Sequence, residues 1–292
     1  MSMQKNVESF IGCDSQYDEA GIVLFGAPFD STTSYRPGSR FGPSAVRHES
    51  FGIETYSPYQ DADLTDSCCK VFDEGDLELP FGDPLPVVNS IMDNVRTIVS
   101  DNKIPFMVGG EHLVTLGAVN ALYEKYPDMH VVQFDAHADL RDDYLGTKLS
   151  HACVMRRCHD FLGDMRIHQF CIRSGEREEF LFAKSHTHMH KFTTEGIEDL
   201  GKALAVSNAP VYLTIDLDCL DSGVLPGTGT PEAGGISFMA LYEAVIGLIG
   251  SGARIVGVDV NELSPMLDTS GASTALTCKL IREILIALSI NR

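Results

Sequence analysis

The ten residues HVVQFDAHAD, His130 to Asp139, run from an apolar β-forming segment straight into two acids that flank a histidine at alternate positions. A short run of Val and Phe with little polar interruption reads as a strand covered on both faces, as in a parallel sheet. Three other segments repeat the pattern. Pro105–Val108 leads into Gly109-Gly110-Glu111-His112, Val211–Ile215 into Asp216-Leu217-Asp218, and Arg254–Val258 into Asp259-Val260-Asn261-Glu262. Further strands are expected at Ile22–Phe25, Lys70–Phe72, Ile167–Ile172 and His188–Phe192. Helical patterns lie between them, at Leu113–Lys125 and Leu241–Ile249. In Ser273–Ser289, Leu276, Leu280, Ile284 and Leu288 recur every fourth residue, which predicts one apolar helix face. Strand and helix alternate to the end, so the expected architecture is a three-layer α/β/α sandwich on a mostly parallel sheet, a single domain over residues 1–292.

Sheets of this kind bind ligands beyond the carboxyl ends of their strands, and every dense polar cluster of the chain follows a predicted strand. On an unbroken strand Asp135, His137 and Asp139 would share one face, and so would Asp216 and Asp218. Each piece alone has an ordinary reading: solvated acids, a core or capping histidine, turn formers. Gathered at the ends of several strands, unpaired acids would be costly to bury, and a metal resolves the conflict. The candidate ligands are His112, Asp135, His137, Asp139, Asp216 and Asp218. Two imidazoles and four carboxylates are too many for one ion, whereas two dications balance the four negative charges. Oxygen-rich ligation with some imidazole favours Mn²⁺. Water shared by two such ions becomes hydroxide near neutral pH.

Composition narrows the partners. The 292 residues carry 22 Lys and Arg against 41 Asp and Glu, a net charge of −19. Such a balance argues against nucleic-acid phosphates and anionic membranes, and it suits a small cation weakly. The first twenty residues lack the apolar core of a secretory signal, and no run approaches the roughly 18 apolar residues that span a bilayer. The eight scattered cysteines lack CxxC spacing and read as reduced, mostly buried thiols of a cytoplasmic protein, with adjacent Cys68 and Cys69 as a minor candidate redox pair.

GGEH at Gly109–His112, DAHAD at Asp135–Asp139, SHA at Ser150–Ala152, DLDCLD at Asp216–Asp221, GTGTPEAGG at Gly227–Gly235 and the Asn261-Glu262 turn occur in an order that resembles the ureohydrolase (arginase/agmatinase) family over nearly the whole chain. The resemblance implies an arginase-like sandwich of eight parallel strands, two Mn²⁺ per chain and assembly as a homo-oligomer, a trimer or hexamer. It also implies ligand roles: Asp135 and Asp216 bridging, His112 and Asp139 on one ion, His137 and Asp218 on the other. Ser222 departs from the Pro that relatives often carry there, which leaves the Asp221–Pro226 loop open.

The implied reaction hydrolyses a guanidinium to urea and a primary amine. Asp139 is expected to accept the nucleophile's proton and pass it to the leaving nitrogen. Glu262 is expected to pair with the guanidinium in fork geometry. His151 is expected to shuttle protons to solvent, its ordinary pKa lying near working pH. Asp142 and Asp143, after DAHAD, would repel an α-carboxylate, and RDDY with SHA resembles agmatinases, so agmatine is the preferred substrate and putrescine the product. Arg141 nearby is a possible carboxylate partner that complicates this preference. The alternatives are guanidinobutyrase, guanidinopropionase, arginase or formiminoglutamase, then a metal-dependent polyamine deacylase or a catalytically silent binding relative. Gly227–Gly235 lacks P-loop and dinucleotide spacing and reads as a turn at the substrate entrance. Arg173-Ser174-Gly175 is expected at the rim or a subunit contact.

Overall fold

The computed structural model describes residues 8–67 and 69–291. In chain order its elements are β1 (Ala20–Ala27), α1 (Gly42–Ser50), β2 (Tyr56–Ser57), β3 (Ala62–Asp63), β4 (Lys70–Asp76), α2 (Pro84–Ser100), β5 (Ile104–Gly109), α3 (Thr115–Lys125), β6 (His130–Phe134), α4 (Val154–Leu162), β7 (Ile167–Ile172), α5 (Arg177–His186), β8 (His188–Lys191), α6 (Ile197–Ser207), β9 (Pro210–Asp216), α7 (Phe238–Gly250), β10 (Arg254–Asn261) and α8 (Ala272–Ile290). Apart from the small antiparallel pair β2–β3, the strands form one eight-stranded sheet in the order β4-β1-β5-β10-β9-β6-β7-β8, with every pairing parallel. The expected mostly parallel sheet is thus wholly parallel.

Both faces are covered, which explains the continuous apolar strands. Ile22 and Leu24 of β1, Phe106 and Val108 of β5, and Val132 and Phe134 of β6 face a core built with α1, α6, α7 and α8. The alternate residues Val23, Phe25, Met107 and Val131 face a second core with α2, α3, α4 and α5. The helix expected from Ser273 differs in one respect from an amphipathic one. Leu280, Ile281, Ile284, Leu285 and Leu288 are buried around its circumference, because α8 lies on the sheet between α1 and α7. Its Arg282 and Glu283 are buried as an ion pair, and Ser57 and Gln60 also donate to the Glu283 carboxylate.

The sheet order sets up the site. The four strands followed by polar clusters, β5, β10, β9 and β6, are neighbours at the centre. Their register aligns the carboxyl ends: Val260 pairs with Val108, Asn261 with Asp216, and Phe134 with Ile215. The residues that follow meet at one rim. Of the cysteines, 13, 153, 158, 171, 219 and 278 are buried free thiols and Cys69 is partly exposed, while Cys68 lies outside the described residues. No helix among the described residues is long and apolar enough to cross a membrane.

Candidate metal centre

The loop after β5 turns sharply because its two glycines admit close neighbours. A Cβ on Gly110 would lie 2.0 Å from the Phe29 carbonyl oxygen, and one on Gly109 would lie 1.8 Å from Asn261 Oδ1. Freed of that clash, the loop bonds Glu111 N–H to the Phe29 carbonyl (2.7 Å) and delivers His112, buried, over the ends of β10 and β9. After β6 the chain leaves the strand at Asp135, and Asp139 takes a left-handed φ of +53°. The acids of DAHAD therefore converge through a turn, and the unbroken strand considered from spacing alone does not form.

Around the His112 ring stand three carboxylates. Its Nδ1 lies 3.0 Å from Asp135 Oδ2, 3.0 Å from Asp139 Oδ2 and 3.4 Å from Asp216 Oδ2. His137 Nδ1 lies 2.8 Å from Asp218 Oδ2 and 3.7 Å from Asp135 Oδ1. Two groups result, His112–Asp135–Asp216 and Asp135–His137–Asp218, each with potential ligand atoms within 4.8 Å of one another and with Asp135 common to both. Asp216 and Asp218 each use one oxygen to anchor the loops, taking the N–H of Asp218 (2.9 Å) and of Ala136 (3.0 Å), and turn the other oxygen to an imidazole.

The donor set fits dications by its own chemistry. His112 Nδ1 is buried without a hydrogen-bond partner although three carboxylate oxygens surround it, while Nε2 is fixed by Thr214 Oγ1 at 2.9 Å. This is the arrangement of a ligating imidazole whose other nitrogen is oriented from behind. The protonation directions agree. Burial, with Asp218 and Asp135 close by, raises the Asp216 carboxyl well above its usual range, and burial with the Asp135 charge raises Asp139. Burial opposes a charged His137, but Asp218 and Asp135 outweigh it and raise the ring to about 12. A cluster that pulls protons onto Asp139, Asp216 and both histidines is short of positive charge.

Behind the six residues lies a shell in which Gln133, Gln169, Tyr212 and Thr214 escaped sequence reading, while Arg173 and Asp259 stood in stretches it had marked. Gln133 Nε2 donates to Asp135 Oδ2 (2.7 Å), and Gln169 Nε2 in turn donates to Gln133 Oε1 (2.7 Å). Under His112 and Thr214, buried Asp259 accepts from Tyr212 (2.6 Å), Thr115 (2.7 Å) and Asn261 (2.7 Å), so it is occupied in the core and does not reach the rim. Arg173 donates to the carbonyls of Asp218 (2.7 Å), Cys219 (3.2 Å) and Glu232 (2.9 Å), fastening the ligand loop to the Gly227–Gly235 loop. The only advance signal for the four that escaped was polar residues inside apolar strands. Asp221 organises its own loop by accepting from Gly223, Gly234 and Gly235, with Ser222 taking no part.

Glu262, at φ +68°, accepts the His112 backbone N–H through Oε1 (2.9 Å). Burial and the nearby Glu111 charge raise its carboxyl well above the usual range. His151 is held by Glu111 through a relay: Thr32 Oγ1 donates to Glu111 Oε1 (2.5 Å) and accepts the His151 N–H (3.2 Å). Burial lowers the His151 ring to about 4, with the nearby histidine charges adding to the effect. The ordinary pKa assumed for a shuttle does not apply; the ring is neutral at working pH.

Glu262, His151, Asp139 and His137 line a cavity of about 250 Å³ whose outer wall carries Arg141 and Glu176. Asp142 and Asp143 are not on that wall. Asp142 is tied to Arg157 (2.8 Å), and Asp143 Oδ1 accepts the Gly146 N–H (3.0 Å), because the loop after Arg141 turns outward over α4. Arg141 is engaged by Glu176 (2.8 Å) and Glu179 (3.6 Å) and lies over the Tyr144 ring.

A sequence model of the Arginase family matches residues 20–287. An agmatinase from Bacillus subtilis is 44% identical over 279 residues, 95% of each chain. Two solved structures are similar throughout. One is a putative agmatinase from Clostridium difficile, with 47% identity, TM-score 0.90, and 94% of this chain and 99% of that one covered. The other is an agmatine ureohydrolase from Thermoplasma volcanium, with 34% identity, TM-score 0.88, and coverage of 97% and 94%.

Proposed function

The chain belongs to the arginase family, and on that premise we propose that it hydrolyses the guanidinium of agmatine to urea and putrescine. The observation that carries this reading is the pair of His/Asp groups sharing Asp135, with the buried carboxylate of Glu262 beside them. His112, Asp135, Asp139 and Asp216 would hold one cation, and His137, Asp218 and the same Asp135 and Asp216 the other. Two Mn²⁺ are the preferred ions, and when bound they would supply Lewis acidity that makes water nucleophilic near neutral pH.

The remaining work falls to side chains. Glu262, with Oε1 already taking one N–H, offers its remaining lone pairs to the guanidinium and is ionised by that pairing. Asp139 accepts a proton at its carboxylate and returns it to the departing nitrogen. Neutral His151, fixed by the Thr32 relay, passes protons to solvent by donating from one ring nitrogen while accepting at the other, at the mouth where Ser34 Oγ lies 3.3 Å from its Nε2.

Substrate choice rests on the wall charge. The one arginine lining the cavity among the described residues, Arg141, is engaged by Glu176 and Glu179, so a carboxylate tail meets net negative charge and an ammonium tail meets a partner in Glu176. The preference for agmatine, first argued from Asp142 and Asp143, is supported instead by these two glutamates. We further read the protein as one domain, cytoplasmic, and assembled as a trimer or hexamer.

The test is urea release from agmatine, arginine, guanidinobutyrate and formiminoglutamate by Mn²⁺-loaded protein. Agmatine is expected to give the highest kcat/KM. A higher value for a carboxylate-bearing substrate, or formamide in place of urea, overturns the assignment.

A further inference from the structure

At the far end of α4 from His151, three side chains that the reaction does not use meet at the surface. His159 lies in the last turn of α4, His186 is the final residue of α5, and Asp164 sits in the turn that leads to β7. His159 Nε2 lies 2.8 Å and His186 Nδ1 2.6 Å from the same atom, Asp164 Oδ1. A ligand atom from each lies within 4.8 Å of the other two. A rise of about 1.5 Å per residue over the eight residues from His151 to His159 puts this cluster roughly 12 Å along the chain's helical course from His151.

The rings are held in place. Phe182 stacks on His186 with centroids 4.1 Å apart and meets His159 edge-on at 4.9 Å, and the Arg156 guanidinium caps Phe182 at 3.8 Å. Gly163 (φ +82°) and Met165 (φ +59°) bracket Asp164, and the Met165 N–H donates to the His186 carbonyl (2.9 Å), tying the turn to the end of α5. Both α4 and α5 end here, so the partial negative charge of two helix C-termini gathers beside the cluster. The Asp164 side chain is 61% exposed, which leaves one side of the group open to water.

Two imidazole nitrogens, one carboxylate oxygen and an open fourth position form the donor set of a borderline d-block dication. Zinc takes nitrogen at about 2.0–2.1 Å and carboxylate oxygen at about 2.0–2.2 Å, so the two nitrogens, now 2.8 and 2.6 Å from Asp164 Oδ1, must draw back from it to admit the ion. Binding asks each imidazole to present a lone pair at the nitrogen that faces Asp164. Mn²⁺ stands at the weak end of the affinity order for such nitrogen-containing sites.

We propose that His159, Asp164 and His186 form a second metal site, separate from the catalytic cluster, that takes one Zn²⁺-class dication and clamps the ends of α4 and α5 together. The test uses full-length protein loaded with Mn²⁺, then incubated with Zn²⁺ and desalted, with metals counted per chain by mass spectrometry. The parent is expected to retain one more Zn²⁺ than His186→Gln or Asp164→Asn, with an unchanged Mn²⁺ count and a Tm that rises with Zn²⁺ only in the parent. The variants, measured without Zn²⁺, are expected to release urea at the parent rate, which shows that they fold. Equal Zn²⁺ in parent and both variants, or Zn²⁺ uptake only at the expense of Mn²⁺, overturns the proposal and identifies the trio as a hydrogen-bonded surface contact.

Discussion

The Glu262 carboxylate accepts the backbone N–H of His112 at 2.9 Å, across the boundary between β10 and the loop after β5. The acid assigned to the guanidinium is thereby positioned by the backbone of a candidate metal ligand, which ties the proposed substrate seat to the candidate metal centre. Glu262→Gln keeps an oxygen to accept that N–H but loses the charge. Steady-state urea release is expected to show both a higher KM and a lower kcat. The loss of a buried charge partner, about 2–4 kcal/mol, corresponds to roughly 30- to 700-fold in kcat/KM. Parent-like kinetics would remove Glu262 from substrate binding.

Asp135 belongs to both ligand groups, whereas His112 and His137 belong to one each. After dialysis against trace Mn²⁺, Asp135→Asn is expected to hold almost no metal. His112→Ala and His137→Ala are each expected to hold about one ion fewer than the parent. If Asp135→Asn retained a full complement by elemental analysis, a shared ligand would be the wrong description.

Thr214 touches the centre only through His112 Nε2. Thr214→Val preserves shape and removes that orienting bond. The apparent Mn²⁺ affinity, read from activity against metal concentration, is expected to fall roughly 10- to 100-fold, with saturating activity near the parent value. An unchanged titration curve would show that Thr214 does not orient the ring.

Glu176 is the exposed carboxylate on the cavity wall, paired with Arg141. In Glu176→Gln, KM for agmatine is expected to rise about 2- to 5-fold, the scale of an exposed charge pair. The value for guanidinobutyrate is expected to fall, because Arg141 is released to receive its carboxylate. Parallel changes for both substrates would argue against a charge filter.

His130 and His168 hydrogen-bond at 2.9 Å between β6 and β7, and Arg166 sits 3.0 Å from His130 Nε2, fixing that nitrogen as an acceptor. Burial, with the charges of neighbouring histidines, lowers His168 to about 3, and burial with Arg166 lowers His130 to about 4. The folded protein therefore keeps both rings neutral while the unfolded chain protonates them below about pH 6.5. Stability falls as pH drops from 6.5 toward 4, by at most about 1.4 kcal/mol per pH unit for His168, and by less for the more solvated His130. Denaturant unfolding of metal-free protein is expected to show a shallower loss over this range in His168→Gln than in the parent. Identical slopes would remove the pair as the cause.

How much of this was written in the chain depends on whether a signal is local. β6 and β7 were legible to the residue, because strands covered on both faces carry uninterrupted apolar runs, and the six metal-ligand candidates were legible as polar clusters at strand ends. The environment of a side chain was not. His151 looks like any loop histidine until Thr32 and Glu111 are seen to bury it. Asp142 looks like a substrate contact until Arg157 draws it outward. Thr214 and Gln133 look like misplaced polar residues, since Thr214 bonds His112 of the loop after β5 and Gln133 bonds Gln169 of β7. The apolar spacing of α8 revealed one face, but neighbouring helices bury the rest.

The strand order also sets when the centre can exist during biosynthesis. β9 and β10 are the last strands made, yet they slot between β5 and β6 and bring Asp216, Asp218 and Glu262. A nascent chain halted before residue 210 has His112 and the DAHAD acids but lacks the strands that join them, and its sheet has a gap at the middle. The full donor set therefore exists only once the last two strands have been made, and a chain truncated before them lacks Asp216, Asp218 and Glu262.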